Sequence, residues 1–261
     1  MRIPESVFPF GEPLRIVRQE DRSPKRIFVL GVYASAVHAR WVNPLGKVFV
    51  KALAVASEPC IFWNGEDAAA IISKIKVPEP AGRLESADLS FNGPSGRALD
   101  EDVLKPLGLT RSDAWLSDLV PHSCFNSGQQ KAVRTKYTPM AKKFGLPIST
   151  IEPVPKVLAD DGRRRDILDE LLEAGSDLLI TLGDQPLKWF TSPLAKTQNR
   201  LTEFGKSDDT YGRLHSIEID GHRFQLLPIA HPRQMRRLGP SDSEWARIYR
   251  HWAEHVAPTL L

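Results

Sequence analysis

Short apolar runs that alternate with helical segments constrain the fold of this chain more than any other feature. Strand-length runs lie at residues 27–32, 47–56, 114–120 and 177–182. Helical spacing or composition is found at residues 64–75, 99–107, 129–144 and 161–174. A strand covered on both faces is apolar along its length, which is typical of parallel sheets. We therefore predict an α/β fold of three layers, α/β/α, around a central, mostly parallel sheet.

Turn and capping residues refine this prediction towards the C-terminus. Residues 214–219 and 223–229 flank Asp220-Gly221, the strongest short signal for a β-hairpin. Ser241 is followed three residues later by Glu244, the spacing of a capping box that would open the last helix.

Other segments are less regular. Asn64 is expected to cap the helix at 64–75. Residues 191–212 are polar and are expected to form a long loop. Residues 1–25 contain four prolines and are expected to form an extended lead-in to a single domain spanning residues 1–261.

Composition limits the class of protein. No apolar run approaches the length of a membrane span, and the N-terminus lacks the apolar region of a signal peptide. We expect no membrane association and a cytoplasmic location. Cys60 and Cys124 are the two cysteines, too few for a disulfide framework or a four-cysteine cluster. The formal net charge of +3 permits binding to a polyanion without requiring it.

Ligands of open parallel sheets bind beyond the carboxyl ends of the strands. The segments that follow the predicted strands, and where a site is expected, are 31–41, 118–124, 183–185 and 231–234.

Motifs at these strand ends resemble, in order, those of the uracil-DNA glycosylase superfamily. Residues 91–120 resemble a stretch of its thermophilic, cluster-containing members, and residues 226–234 (LLPIAHPRQ) resemble their last strand and His-Pro motif. Residues 179–183 resemble the strand between these two motifs, and residues 27–35 occupy the place of the first motif. The resemblance covers about residues 27–252. It implies a monomeric, monofunctional DNA glycosylase that flips a pyrimidine out of DNA, hydrolyses its glycosidic bond and leaves an abasic site.

Two residues carry the chemistry that the resemblance implies. His231 would stabilise the negative charge that develops on the departing base, since a donor in a dry pocket is usually the largest catalytic contribution. Asp118 stands where the resembling families have an Asn that reads the edge of uracil. An ionised carboxylate only accepts hydrogen bonds, so it would repel uracil O4 and accept from the cytosine amino group.

The departure at Asp118 predicts a cytosine-like substrate, although two alternatives stay open. Asp118 could be protonated and mimic Asn, or the alignment could be displaced by one residue, with Ser117 in the pocket. Excision of unmodified cytosine would destroy the host genome, so the substrate would be a modified cytosine. One group in the superfamily removes glucosylated hydroxymethylcytosine from phage DNA, and the insertion at residues 36–90 also favours such an antiviral role.

The resemblance also implies further residues that bind the base or position water. Phe91 matches the aromatic residue that stacks on the flipped base, or it is a core residue. Tyr33 stands where the family often has an Asp or Asn that positions water, and it would wall the pocket instead. Three other groups could position the attacking water: Ser35, His38 and Glu58.

The loop after His231 is expected to enter the DNA. Met235 or Leu238 would fill the space left by the flipped base, and three arginines, Arg233, Arg236 and Arg237, would contact phosphates. Ser95, between Gly93 and Gly96, could contact a further phosphate, or this segment is simply a turn.

No metal or other cofactor is expected. The thermophilic relatives hold an iron–sulfur cluster on four cysteines, and His122 occupies the place of one of them here. Two other functions remain open: uracil excision in DNA repair, and an inactive DNA-binding module that keeps the fold.

Overall fold

The predicted strands form two separate sheets. The computed structural model describes residues 5–231 and 240–261. Its strands are β1 Ile27–Tyr33, β2 Ala36–Val42, β3 Val48–Ser57, β4 Arg83–Ser86, β5 Ala114–Val120, β6 Leu178–Leu182, β7 His215–Ile219 and β8 His222–Ile229. Its α-helices are α1 Ala68–Ser73, α2 Pro94–Leu99, α3 Ser127–Ala132, α4 Thr138–Phe144, α5 Asp161–Ala174, α6 Asp184–Pro186, α7 Ser192–Ala195, α8 Leu201–Phe204 and α9 Pro240–His251.

Several helices continue into turns of a different pitch. Turns of π-helix lie at Asp100–Leu104, Val133–Tyr137, Leu187–Thr191 and Trp252–Val256. Short 3₁₀-helices lie at Pro9–Gly11, Glu79–Ala81, Arg111–Asp113 and Ala257–Thr259. None of the helices in the described ranges combines the length and the apolar composition needed to cross a membrane.

The chain divides into two compact units. The first unit comprises residues 1–17, 33–96 and 121–156, and the second comprises residues 18–32, 97–120 and 157–261.

The second unit contains the five-stranded central sheet, in the order β5-β1-β6-β8-β7. β1 and β8 both pair in parallel with β6, and β7 pairs antiparallel with β8. The N–H of Arg26, just before β1, donates to the carbonyl of Asp113, just before β5, at 2.9 Å. These two strands therefore start side by side and run in the same direction. The sheet is mostly parallel and flanked by helices, as predicted, in a three-layer α/β/α fold.

The first unit is built around a three-stranded antiparallel sheet in the order β3-β2-β4. Trp41 of β2 is fully buried in its core, and the indole N–H donates to the carbonyl of Ala81 at 2.7 Å. Tyr137 packs edge-on against Trp41 with ring centroids 6.0 Å apart. This sheet occupies most of the segment that the resemblance marked as an insertion, and β2 and β4 were not predicted.

Most of the predicted strands and the main helix are confirmed. β1, β3, β5 and β6 match the apolar runs within two residues, and α5 has the predicted bounds. The hairpin turn is confirmed too, with Asp220 at φ 51° and Gly221 at φ 78°. Both central residues of this turn type need positive φ, which explains the Asp-Gly pair.

Predictions of helix starts were less accurate. Asn64 does not cap a helix: its side chain accepts from the N–H of Glu66 at 3.1 Å, and α1 begins only at Ala68. α9 begins at Pro240, so Ser241 lies inside its first turn and is not the N-cap. Residues 191–212 are not one loop, because they contain α7 and α8.

Candidate functional site

Asp118 is a buried carboxyl near the carboxyl end of a central-sheet strand. Every residue of β5 is buried, and Asp118 is only 3% exposed. Burial raises the pKa of this carboxyl well above its ordinary value; the nearby Arg163 charge opposes the shift and the Glu170 charge adds to it. No residue in the described ranges donates a hydrogen bond to the carboxyl oxygens. A neutral carboxylic acid, with one donor and one acceptor, is therefore favoured at this position.

Arg163 of α5 holds the backbone on which Asp118 stands. Its guanidinium donates to the carbonyl of Asp118 at 2.7 Å and to the carbonyl of Leu119 at 3.3 Å. β5 is an edge strand of the central sheet, so it has a neighbouring strand on one side only. By bonding two successive carbonyls, the Arg163 side chain fixes the position of the strand end.

Glu170, about two turns after Arg163 along α5, completes this network. It accepts from Arg163 at 3.0 Å and from the hydroxyl of Ser117 at 2.6 Å, and Arg163 also donates to that hydroxyl at 3.1 Å. Ser117 is thus bonded towards α5. Successive side chains of a strand point to opposite faces, so Asp118 faces away from α5. Of these two residues, only Ser117 takes part in the network through its side chain; Asp118 does so only through its carbonyl.

The sequence pattern places Arg163 on the buried face of α5. Asp160 caps the helix, since its side chain accepts from the N–H of Arg163 at 2.8 Å. Arg163 begins the buried stripe that continues with Ile167, Leu171 and Ala174. Arg163 and Glu170 were missed as candidate residues. The signal that could have found Arg163 is its place in this apolar stripe, because a charge there must be paired.

The raised pKa of Asp118 predicts how stability depends on pH. Between the ordinary value of 3.8 and the raised value, the unfolded chain ionises while the folded protein resists ionisation. The free energy of unfolding therefore decreases as pH rises through this window. Asp118→Asn, a neutral side chain of the same shape, is expected to remove the decrease and to be increasingly more stable than wild type towards neutral pH. Urea denaturation between about pH 4 and about pH 8 measures the difference.

Asp169→Asn is the control for this experiment, because Asp169 is exposed on the same helix. It is expected to leave the pH dependence unchanged. A wild type and an Asp118→Asn variant with parallel pH profiles would contradict a raised pKa at Asp118.

His231 lies two residues beyond the end of β8, on the same sheet, and is half-buried. The residue before it, Ala230, is fully buried, and its N–H donates to the hydroxyl of Tyr211 at 2.9 Å. Tyr211 packs against the indole rings of Trp245 and Trp252. Tyr211, which sequence reasoning missed, therefore fixes the backbone immediately before His231.

Gly183 extends the pairing of the neighbouring strand end. Its N–H donates to the carbonyl of Ile229, the last residue of β8, at 2.8 Å. Gly183 has φ 81° and ψ −170°, a conformation that is essentially restricted to glycine. The ends of β6 and β8 are thereby tied together next to His231.

Asp118 and His231 are carried by parallel strands of one sheet, and the carboxyl ends of these strands lie at the same end of the sheet. β1 and β6 lie between β5 and β8 in that sheet. Three strand spacings correspond to about 14 Å. This separation suits two groups that contact opposite edges of one ligand and not each other.

The first unit contains the residues predicted to position water. Tyr33 ends β1 and is exposed, and the carbonyl of Ser35 accepts from the hydroxyl of Ser123. His38 is a strand residue of β2, and its backbone N–H and carbonyl bond the Asn92 side chain at 2.8 and 2.9 Å. Glu58 directly follows β3 and is buried. The roles of Ser35, His38 and Glu58 towards water, and of Tyr33 as a wall of the pocket, stay predictions.

Phe91 and Ser95 also belong to the first unit. Phe91 is 42% exposed, so the structural alternative of a core phenylalanine is wrong. Gly93 and Gly96 lie close to backbone: a Cβ would come within 2.0 Å of the carbonyl carbon of Asn64 and within 2.1 Å of the Phe62 oxygen, respectively. Packing therefore accounts for both glycines. The phosphate contact of Ser95 and the stacking role of Phe91 stay predictions.

The predicted DNA-entering loop lies outside the described residues. This applies to Arg233, Met235, Arg236, Arg237 and Leu238. Within the described residues, no cluster of three His, Cys, Asp or Glu side chains could hold a metal ion. The chain contains two cysteines, fewer than a four-cysteine cluster requires.

Comparison with known proteins adds no family to this description. No family model matches the chain, and no curated protein matches its sequence. The function of the strand-end site must therefore be argued from Asp118, His231 and the residues that hold them.

Proposed function

We propose that the protein is a monofunctional DNA glycosylase that releases a modified cytosine from DNA. The observation that carries this proposal is the buried Asp118 carboxyl, to which no described residue donates a hydrogen bond. It lies near the carboxyl end of β5, at the same end of the sheet as His231. Its oxygens are not among the fully enclosed side-chain atoms that lack a partner, so they keep some access from outside. A nearly buried carboxyl that has no donor from the protein and keeps this access is suited to pair with a ligand.

Cytosine, unlike uracil, can pair with both protonation states of Asp118. A neutral carboxylic acid can donate its O–H to cytosine N3 and accept from the N4 amino group. If that proton moves to N3, the carboxylate still accepts from both N3–H and N4–H. Uracil pairs only with the neutral acid, because an ionised carboxylate would face its O4 acceptor. Cytosine therefore stays bound in both positions of the shared proton.

His231 would supply the second half of the chemistry. In hydrolysis, the bond between the sugar C1′ and the base nitrogen breaks, and its electron pair leaves with the base. An imidazole N–H directed at the pyrimidine O2 would stabilise that charge. Water adds its hydroxyl to C1′, and its proton ends on the base. The products are the free base and an abasic site.

The substrate is tested with oligonucleotides that carry one target base each. The bases are uracil, cytosine, 5-hydroxymethylcytosine and glucosylated hydroxymethylcytosine, and alkali cleavage detects the abasic product. Wild type is expected to release a modified cytosine. Asp118→Asn is expected to reduce the preference for cytosine over uracil by about tenfold or more, because a neutral amide can pair with either base and cannot form the charge-assisted pair with a cytosine protonated at N3.

The outcomes separate the alternatives. Release of uracil alone by wild type would contradict the cytosine argument and indicate a repair enzyme. DNA binding without release of any base would favour an inactive binding module. An Asp118→Asn variant with an unchanged base preference would show that Asp118 does not read the base.

A further inference from the structure

The segment 121–151 of the first unit has an unusual charge. It contains five Lys or Arg residues, namely Lys131, Arg134, Lys136, Lys142 and Lys143, and neither Asp nor Glu. The whole chain has 35 basic and 32 acidic residues and a net charge of +3. This segment is therefore more positive than the entire protein, and we call its five cations the basic surface.

The five cations are all exposed. None of them forms an ion pair with a described residue. The ammonium of Lys136 lies 5.3 Å from the ring centroid of Phe49, and that of Lys143 lies 5.2 Å from the ring of Phe144. Contacts of this kind orient a lysine and leave its charge uncompensated. The basic surface therefore retains its full attraction for an anion.

The backbone beneath the basic surface is firmly held. α3, the π-turn Val133–Tyr137 and α4 form one helical run. The Gln129 side chain accepts from the N–H of Ala54 at 3.0 Å and donates to the carbonyl of Ala52 at 3.0 Å, so it closes the free edge of β3. Tyr137 is fully buried; its hydroxyl accepts from the N–H of Phe10 and donates to the carbonyl of Pro147, both at 2.7 Å.

The length of the run suits a polyanion with closely spaced charges. Lys131 and Lys143 are twelve positions apart, about 18 Å at 1.5 Å per helical residue. This distance equals about five base pairs of duplex DNA at 3.4 Å each. A single small anion would engage one or two of the five cations, whereas a nucleic acid backbone can engage several.

An anionic membrane fits the run less well. Interfacial helices need an apolar face for lipid beside their cations. Here the apolar side chains are already used, because Ala132, Val133 and Met140 pack against the core that contains Trp41 and Tyr137. None of the exposed large hydrophobic residues found in the described ranges lies between 127 and 144.

We infer that the basic surface binds the phosphate backbone of duplex DNA without regard to sequence. The choice of DNA over RNA rests on the proposed glycosylase function, whereas the attraction for phosphates rests on the charges alone. Binding of this kind would raise the residence time of the protein on DNA between productive encounters, since phosphate contacts supply most of nonspecific affinity.

The test is fluorescence anisotropy with an unmodified DNA duplex over a series of salt concentrations. The variant Lys131→Gln/Arg134→Gln/Lys136→Gln removes three cations of the basic surface. Each lost phosphate contact lowers the slope of log K against log salt by about 0.9, so the slope is expected to fall by about 2 to 3. Affinity at moderate salt is expected to fall at least about tenfold. Circular dichroism and urea denaturation verify that the variant is folded.

A charge-matched control removes three exposed cations elsewhere, Lys74→Gln/Lys76→Gln/Arg223→Gln, and is expected to keep most of the wild-type slope. A second control, Lys131→Arg/Lys136→Arg, preserves the charge and is expected to bind as wild type. A basic-surface variant with the slope of the control would overturn the inference. Tighter binding to an RNA duplex, or binding to phosphatidylserine vesicles that the basic-surface variant loses, would overturn the assignment to DNA.

Base release distinguishes this inference from the proposed function. If wild type releases no base but its salt-dependent binding is lost in the basic-surface variant, the glycosylase proposal is wrong and DNA binding by the basic surface is supported. If wild type releases base and the variant binds with an unchanged slope, the glycosylase proposal is supported and DNA binding by the basic surface is wrong.

Discussion

Replacing His231 by alanine is expected to slow base release by about 10²- to 10³-fold. The imidazole would act only on the charge that appears as the glycosidic bond breaks, so its loss raises the barrier and leaves ground-state binding almost intact. Single-turnover release with enzyme in excess measures the chemical step, and anisotropy on the same duplex measures binding. The expected result is a large fall in rate with little change in affinity.

His122→Ala is the matched control for this prediction. His122 lies after β5, and its Nδ1 is 3.2 Å from the carbonyl of Ser123 and 3.8 Å from the sulfur of Cys124. It has no part in the proposed chemistry, so its variant is expected to release base at the wild-type rate. A His231→Ala variant that is equally fast would rule out leaving-group stabilisation by His231.

Replacing Arg163 by methionine is expected to lower the free energy of unfolding by about 3 to 5 kcal/mol. The change removes the charge that pairs with Glu170 at 3.0 Å and two hydrogen bonds to carbonyls of β5. Removing one partner of a buried pair costs more than the pair contributes, because the other charge stays buried. Urea denaturation measures the loss.

Arg165→Met is the control for the Arg163 prediction, because Arg165 is exposed two residues along the same helix. Its variant is expected to change stability by less than about 0.5 kcal/mol. The double variant Arg163→Met/Glu170→Leu is expected to recover part of the loss, since no unpaired charge remains. If Arg163→Met is no less stable than Arg165→Met, the network does not hold the end of β5.

The Arg163 network also has a consequence for the proposed activity. Arg163 would act as a positioning residue for Asp118, because it bonds the Asp118 carbonyl and not the carboxyl. At a temperature where Arg163→Met is still folded, base release is expected to fall, and the preference among pyrimidines is expected to weaken with it. A merely structural role would lower the amount of active protein and leave the preference unchanged.

Local sequence signals determined the central sheet. The apolar runs that became β1, β5 and β6 are readable because a strand buried on both faces is apolar at every position. Asp220-Gly221 is readable because both residues must adopt positive φ. The bounds of α5 are readable from its cap at Asp160 and from Gly175, which ends it at φ 61°.

The first unit was less predictable because its strands depend on partners. Residues 36–42 (AVHARWV) alternate only partly, and they become β2 because β3 and β4 supply hydrogen bonds on both edges. Asn64 has the residue type of a helix cap, yet its side chain closes a turn onto Glu66. The first outcome was decided by segments that lie elsewhere in the chain, whereas the second is a choice between two local hydrogen bonds.

The candidate site likewise has some features that the local sequence determines and others that depend on tertiary structure. The sequence by itself placed Asp118 near the end of one buried strand and His231 after another, because position along a buried strand is a local property. Only the tertiary structure decided that Asp118 is buried with its pKa raised, that Arg163 bonds a strand 45 residues away, and that Tyr211 bonds the residue before His231. Burial and pairing depend on which surfaces meet, and that is fixed by packing of the whole fold and not by neighbouring residues.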